Sequence, residues 1–338
     1  APNTEGKIRL RALDMDPVVF ETDVSDSLEK STLHWPNYVL GCVDQLVKAG
    51  VEIGGFDCVF GSNIPIGAGL SSSAALEAGT LLGLSEIFDL KLSKLEMARL
   101  AQRAENEFVG VQCGIMDQFA SIHGKQDHVI RLDCRSLEFS HYPFNQKGVR
   151  IVLCDTKVRR ELAGSEYNTR RKQCEEAVEV LQKCKPEIRS LRDVTHALLE
   201  KYRKHLDPVT YNRCLYVIDE NQRVLAACKD LESGDLTSFG KRMIRSHEGL
   251  RDLYEVSCRE LDLLVEEAGK LEGVLGSRMM GGGFGGCTIN LVSIDRIEEV
   301  KDVLVKKYQA TFGFEPDIYT VKIGPGTRVI TATDEVLL

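Results

Sequence analysis

A chain of 338 residues with 43% apolar side chains can bury two modest cores or one large one, and two lobes are expected. Lys and Arg number 43 against 51 Asp and Glu, a formal net charge of -8, so no broad basic face offers itself to a nucleic-acid backbone. Eleven cysteines without a C-x-x-C pair speak against zinc or a disulfide framework, and the sequence holds no apolar run of about 18 residues and no basic-then-apolar leader. The expectation is a cytoplasmic protein without a nucleic-acid or membrane partner.

Residues 7 to 21 alternate as strands or a hairpin. Tyr38, Val39, Cys42, Val43, Leu46 and Val47 recur at helical spacing, which predicts an amphipathic helix over 35–48. A buried strand follows at 56–60, then a glycine-rich loop at 61–69 and a helix over 71–88 that starts on serine. A helix fits 93–108, a turn 110–114, and a further helix begins at Met116. Residues 128–154 read as strands, and 165–270 as mainly helical, with breaks near Pro186, Pro208 and Gly234. After Gly281 to Gly286 come a strand, a charged helix over 295–309 and a final strand. The lobes are placed at 1–148 and 149–338, with return of the last strands to the first lobe left open.

Pro65, Gly67, Ala68, Gly69, Leu70, Ser71, Ser72, Ser73, Ala74 and Ala75 combine glycines that admit a ligand to the backbone with a helix start whose N–H groups attract anions. This is a phosphate cradle by physical logic. No Lys-Ser or Lys-Thr pair follows the glycines, so it is not a Walker A loop, and neutralisation must come from elsewhere, a divalent cation being the obvious candidate. A plain serine-capped glycine turn is the alternative.

Pro65 to Ala74 resembles the phosphate loop of the GHMP kinases, Pro-x-x-x-Gly-Leu-Ser/Gly-Ser-Ser-Ala. Within that superfamily Cys113-Gly114-Ile115-Met116-Asp117-Gln118-Phe119 resembles the galactokinase segment that carries the catalytic aspartate. The likeness continues at Leu132 to Leu137, at Ser165-Glu166-Tyr167 with Arg170 to Glu176, and at Ser246 to Ser257. It implies an α+β, two-lobed fold with the active site in the cleft between lobes, and transfer of phosphate from ATP to the anomeric hydroxyl of galactose. Asp117 would be the base or orienting group, with Gly114 and Tyr167 on the sugar side. Mg²⁺ would be held by Ser72 or Ser73 with Glu105. Trp35 and Tyr38 match an aromatic pair near the adenine, although their spacing suits core packing equally. Glu105 could otherwise be a solvated glutamate, Tyr167 a surface tyrosine and Asp117 a helix cap. Gly276 to Cys287 resembles the third motif of the superfamily, a glycine loop beside the phosphate loop, and is also compatible with a strained helix-to-strand turn. His247 matches a family position where a buried structural role is expected.

Two departures stand out. The family's early Gly-Arg-x-Asn-x-Ile-Gly-Glu-His-Thr-Asp-Tyr segment has no counterpart, nor does the arginine that lies beside the aspartate, so a truncated, processed, disordered or incompletely recorded start is expected. Arg159-Arg160-Glu161-Leu162 stands where a histidine and a serine more often precede the leucine, a change expected to bear on sugar contacts and not on the phosphate loop. Two rivals remain: a non-catalytic sensor of galactose and ATP that controls a protein partner, and a kinase for N-acetylgalactosamine or another acceptor.

Overall fold

The computed structural model describes residues 1–15, 18–144, 147–159 and 163–331. The chain forms two compact units, one from Ala1–Ile66, Leu70–His141 and the chain from Ile323 on, the other from Gly67–Gly69 and Tyr142–Lys322.

The first unit begins with β1 (Pro2–Asn3), β2 (Lys7–Ala12) and β3 (Phe20–Asp23), followed by α1 (Pro36–Lys48) and β4 (Gly55–Phe60). The four strands form one sheet in the order β1-β4-β2-β3, with β2 parallel to β4 and antiparallel to β3. Period-two alternation in β2 sends Ile8, Leu10 and Ala12 to the buried face. On that face lies α1, whose Val39, Leu40, Cys42, Val43 and Leu46 make the stripe read from the sequence.

Helix α2 (Ser72–Ile87) supplies Ala78, Leu81 and Leu84 to the same core, and α3 (Lys94–Arg103) starts with a Ser93–Glu96 capping box. The helix expected to continue to residue 108 changes character at Ala104–Val109, where it becomes a π-helical turn. The Glu105 carbonyl accepts from both Gly110 N–H (2.8 Å) and Val111 N–H (3.0 Å), which widens the last turn. Helix α4 (Met116–His123) and the two-stranded β5 (His128–Leu132) and β6 (Phe139–Pro143) follow. The chain after Ile323 is pinned beside α4, with Gly326 N–H on Gly124 O and Thr327 N–H on Ser121 O, each at 2.8 Å.

The second unit contains β7 (Val149–Asp155), a helical run of α5 (Ala163–Cys184), α6 (His196–Lys201), α7 (Pro208–Ser233), α8 (Leu236–Asp252) and α9 (Arg259–Gly269), then β8 (Val274–Met279), β9 (Cys287–Ser293), α10 (Ile297–Phe312) and β10 (Asp317–Val321). Its antiparallel sheet runs β10-β7-β9-β8 and packs Val152, Cys154 and Val292 against Leu264 of α9 and Leu304 of α10. A separate cluster of Ala177, Leu181, Leu199, Cys214 and Ile218 binds α5, α6 and α7 together. Pro208 at the first turn and Gly234 in the left-handed region after the last turn delimit α7, as the sequence breaks foretold.

Candidate active site

In the first unit the start of α2 is unusual. Ser71 occupies the N-cap in left-handed conformation (φ 58°), and its hydroxyl makes no cap hydrogen bond. It donates instead to Asp117 Oδ2 at 2.8 Å, so the serine expected to close the helix start is diverted to the carboxylate. The next N–H groups, of Ser72, Ser73 and Ala74, have no intrahelical acceptor and stand at the positive end of the helix dipole. A non-glycine residue with positive φ costs on the order of 1 kcal/mol and persists where the surroundings dictate it, commonly at functional sites.

Asp117 lies in the first turn of α4, and Gly114, just before that helix, is exposed, with open space where a Cβ would stand. Behind Asp117 the structure gathers two buried acids. Glu77 of α2 is fully buried and Glu105 of the π turn nearly so. The buried Gln118 amide bridges them, with Nε2 donating to Glu105 Oε2 at 2.6 Å and to Glu77 Oε2 at 3.2 Å. Burial, reinforced by Glu105, pushes the Glu77 carboxyl up to about 9, the Gln118 bond pulling weakly the other way. Burial also raises Glu105; hydrogen bonds from Cys113, Ser73 and Gln118 favour its anion, and the charge of Asp117 opposes it.

The Ser73 hydroxyl and the Glu105 carboxylate thus meet as a hard-oxygen pair. Among the described residues, no three His, Cys, Asp or Glu side chains converge into a closed metal cage. Such a pair suits a magnesium ion that draws its other ligands from phosphate oxygens and water. Trp35 is half-buried at the core margin, edge-on to Phe60 with ring centroids 5.5 Å apart.

The second unit holds Gly67–Gly69 with the loop 280–286 around a cleft of about 220 Å³, lined also by Val158 and Arg159. Gly283 has φ +87°, and a Cβ there would sit 2.1 Å from Val256 O, the carbonyl that accepts Phe284 N–H at 2.7 Å. Only glycine permits that approach. The Cys287 thiol donates to Ala68 O at 3.1 Å, fixing the phosphate-loop backbone from β9. Tyr167 on α5 is 41% exposed, with its ring 3.6 Å from the place of a Cβ on Gly282. His247 is buried, and its Nδ1 accepts from Met279 N–H at the end of β8.

Arg159 corrects a sequence expectation. Far from sparing the phosphate loop, its guanidinium lies beside Gly67, where a Cβ would stand 3.0 Å from Nε. Asp155, almost fully buried, grips it through both carboxylate oxygens at 2.7 and 3.0 Å. Burial raises the Asp155 carboxyl, but Arg159 and the Lys157 N–H outweigh that and hold it below its usual value. Arg160, Glu161 and Leu162 of the same departure lie outside the described residues.

The structure therefore brings Ser71, Ser73, Glu105 and Asp117 together in one unit, and Gly67, Gly69 and the second glycine loop together in the other. Sequence reasoning missed Glu77, gave Gln118 and Cys287 no role beyond their motifs, and assigned Arg159 to the sugar side. Glu77 did leave a signal: it shares helical spacing with Ala74, Ala78 and Leu81, a charge on an apolar face.

Comparison with known proteins places these features in a family. Residues 37–125 match the GHMP kinases N terminal domain and residues 227–310 the GHMP kinases C terminal domain. The chain is 42% identical to a galactokinase of Clostridium acetobutylicum over 333 residues, covering 98% of this chain and 85% of that one. A galactokinase of Thermotoga maritima is 42% identical over 312 residues, covering 92% and 86%. The crystal structure of Lactococcus lactis galactokinase complexed with galactose superposes with a TM-score of 0.93 at 35% identity, over 96% of this chain and 84% of that one. Among the described residues, no helix is long and apolar enough to cross a membrane.

Proposed function

The chain belongs to the galactokinase family of the GHMP kinases, and from that premise we propose how its residues divide the work of the reaction it carries out, transfer of the terminal phosphate of ATP to galactose. Asp117 takes the proton of the anomeric hydroxyl, or orients it, as the sugar oxygen bonds to the terminal phosphorus and the bond from that phosphorus to the bridging oxygen of ADP breaks. The products are galactose 1-phosphate and ADP. The observation that supports this assignment is the 2.8 Å bond from Ser71 to Asp117, which fixes a carboxylate at the head of the helix whose N–H groups favour phosphate.

Gly67, Ala68, Gly69 and the turn from Ser71 to Ala74 cradle the phosphates, framed by Pro65, Leu70 and Ala75. Arg159, braced by Asp155, supplies the fixed positive charge that a Walker lysine would give elsewhere. Ser73 and Glu105, with Ser72 beside them, would hold magnesium, which when bound neutralises charge on the transferring phosphate. Gly114 and Tyr167 face the sugar in this reading, and Trp35 the adenine. The free buried thiols Cys42, Cys154 and Cys287 suit a reducing cytosol.

The experiment is galactose-dependent ADP release with magnesium, together with calorimetric ATP binding, for the parent chain and Asp117→Ala. Loss of at least about 10³-fold in kcat with ATP binding retained is expected if Asp117 touches the reacting hydroxyl. An Asp117→Ala variant that still turns over within a few-fold of the parent would refute the assignment.

A further inference from the structure

Glu77 is a buried acid that no step above uses. It sits on the inward face of α2, one turn beyond Ser73, and its Oε1 has no hydrogen-bond partner among the described residues, nor has Oε1 of Gln118. Unsatisfied oxygens at such depth are costly unless the site requires them. The two N–H bonds of one amide nitrogen explain the arrangement: Gln118 Nε2 holds Glu105 at 2.6 Å and Glu77 at 3.2 Å. Gln118 is also the residue after Asp117, so the amide that meets both acids is rooted in the first turn of α4.

We propose that Glu77 is a positioning residue of this kinase, acting through the Gln118 amide to fix the Glu105 carboxylate relative to the helix that carries Asp117. The proposal rests on the reading of Glu105 as a magnesium ligand. Side chains that orient metal ligands from behind commonly change metal affinity or activity 10- to 100-fold when removed. With Glu77 gone, the Gln118 amide keeps Glu105 and a long contact to Cys113 Sγ at 3.7 Å but loses its tie to α2, and Gln118 and Glu105 can drift together from the start of that helix.

The test compares the parent chain with Glu77→Leu, Glu77→Gln and Glu105→Ala. Three quantities are read: the magnesium concentration for half-maximal galactose phosphorylation, the affinity for ADP with magnesium by calorimetry, and the melting temperature without ligand. Glu77→Leu is expected to raise the half-saturating magnesium about 10-fold and to weaken magnesium-ADP binding in parallel, with the KM for galactose nearly fixed. Glu77→Gln, which keeps an oxygen for Gln118, is expected to restore most of that loss. A Glu77→Leu chain that melts earlier but needs no more magnesium would show a merely structural role and overturn the proposal. So would a Glu77→Gln chain as impaired as Glu77→Leu. Glu105→Ala with an unchanged magnesium requirement would sink the magnesium assignment and the proposal with it, whereas loss of magnesium affinity in Glu105→Ala alone, with Glu77→Leu unaffected, overturns only the positioning role.

Discussion

Burial of Glu77 has a measurable consequence for stability. In the unfolded chain its carboxyl ionises near 4.5, whereas the folded protein holds the proton up to about 9. The folded state therefore binds more protons than the unfolded state across that window, and stability must fall as pH rises. The contribution is complete below pH 4.5 and withdrawn progressively up to about 9. Each pH unit in the window is worth about 1.4 kcal/mol, so at pH 8 the penalty is on the order of 3 to 5 kcal/mol. The groups facing Glu77 do not relieve it: the Glu105 carboxyl raises it further, and Gln118, Cys113, Tyr38 and Cys42 carry no positive charge. Glu77→Gln removes the titration while keeping the shape. Urea unfolding followed by the single tryptophan, Trp35 in the same unit, should give nearly equal stabilities at pH 5 and a widening advantage for the glutamine variant toward pH 8.5. Parallel curves for the two proteins across this range, or a variant less stable at pH 8, would refute the reasoning.

Gly283→Ala places a methyl group 2.1 Å from Val256 O at φ +87°, so the Phe284 N–H bond must break; the KM for ATP should rise about 10-fold and stability fall by about 2 kcal/mol, measured by steady-state kinetics and denaturant unfolding. Arg159→Met leaves the buried Asp155 unpaired and removes the charge beside Gly67, so a loss of about 3 kcal/mol and a higher KM for ATP are expected. Adding Asp155→Asn should restore stability without restoring the KM, which separates the two roles. Ser71→Ala frees one side of Asp117 and is expected to lower kcat about 10-fold with ATP binding intact, checked by turnover and calorimetry.

The segments legible from sequence were those whose signal is local. The stripe of α1 and the run from Pro65 to Ala75 each carry their periodicity or glycine chemistry within a few residues. The helix after Ser93 could be read but not its π-helical end, because the two N–H groups that share the Glu105 carbonyl differ from ordinary helical donors only in register. Ser71 satisfied the preference for serine at a helix start, yet the long-range pull of Asp117 overrode capping. Arg159 and Gly67 meet only through the fold, so their contact left no pattern in the chain. Glu77 was visible as a misplaced charge, but its link to Glu105 depends on an amide borne by a different helix.

The π turn at Ala104–Val109 makes segment length the guarded quantity. Its surplus residue acts as a spacer: deleting one residue here would let regular α-helical pairing run on, turning everything downstream by about 100° and drawing it back about 1.5 Å. Cys113 and Gln118, which reach back to the Glu105 carboxylate, would then arrive out of phase. An exchange at Glu107 gives up its bonds from Arg103 and the Gln45 amide, each at 3.0 Å, but leaves the count intact. Natural variation in this stretch should accordingly be rich in replacements and poor in gaps.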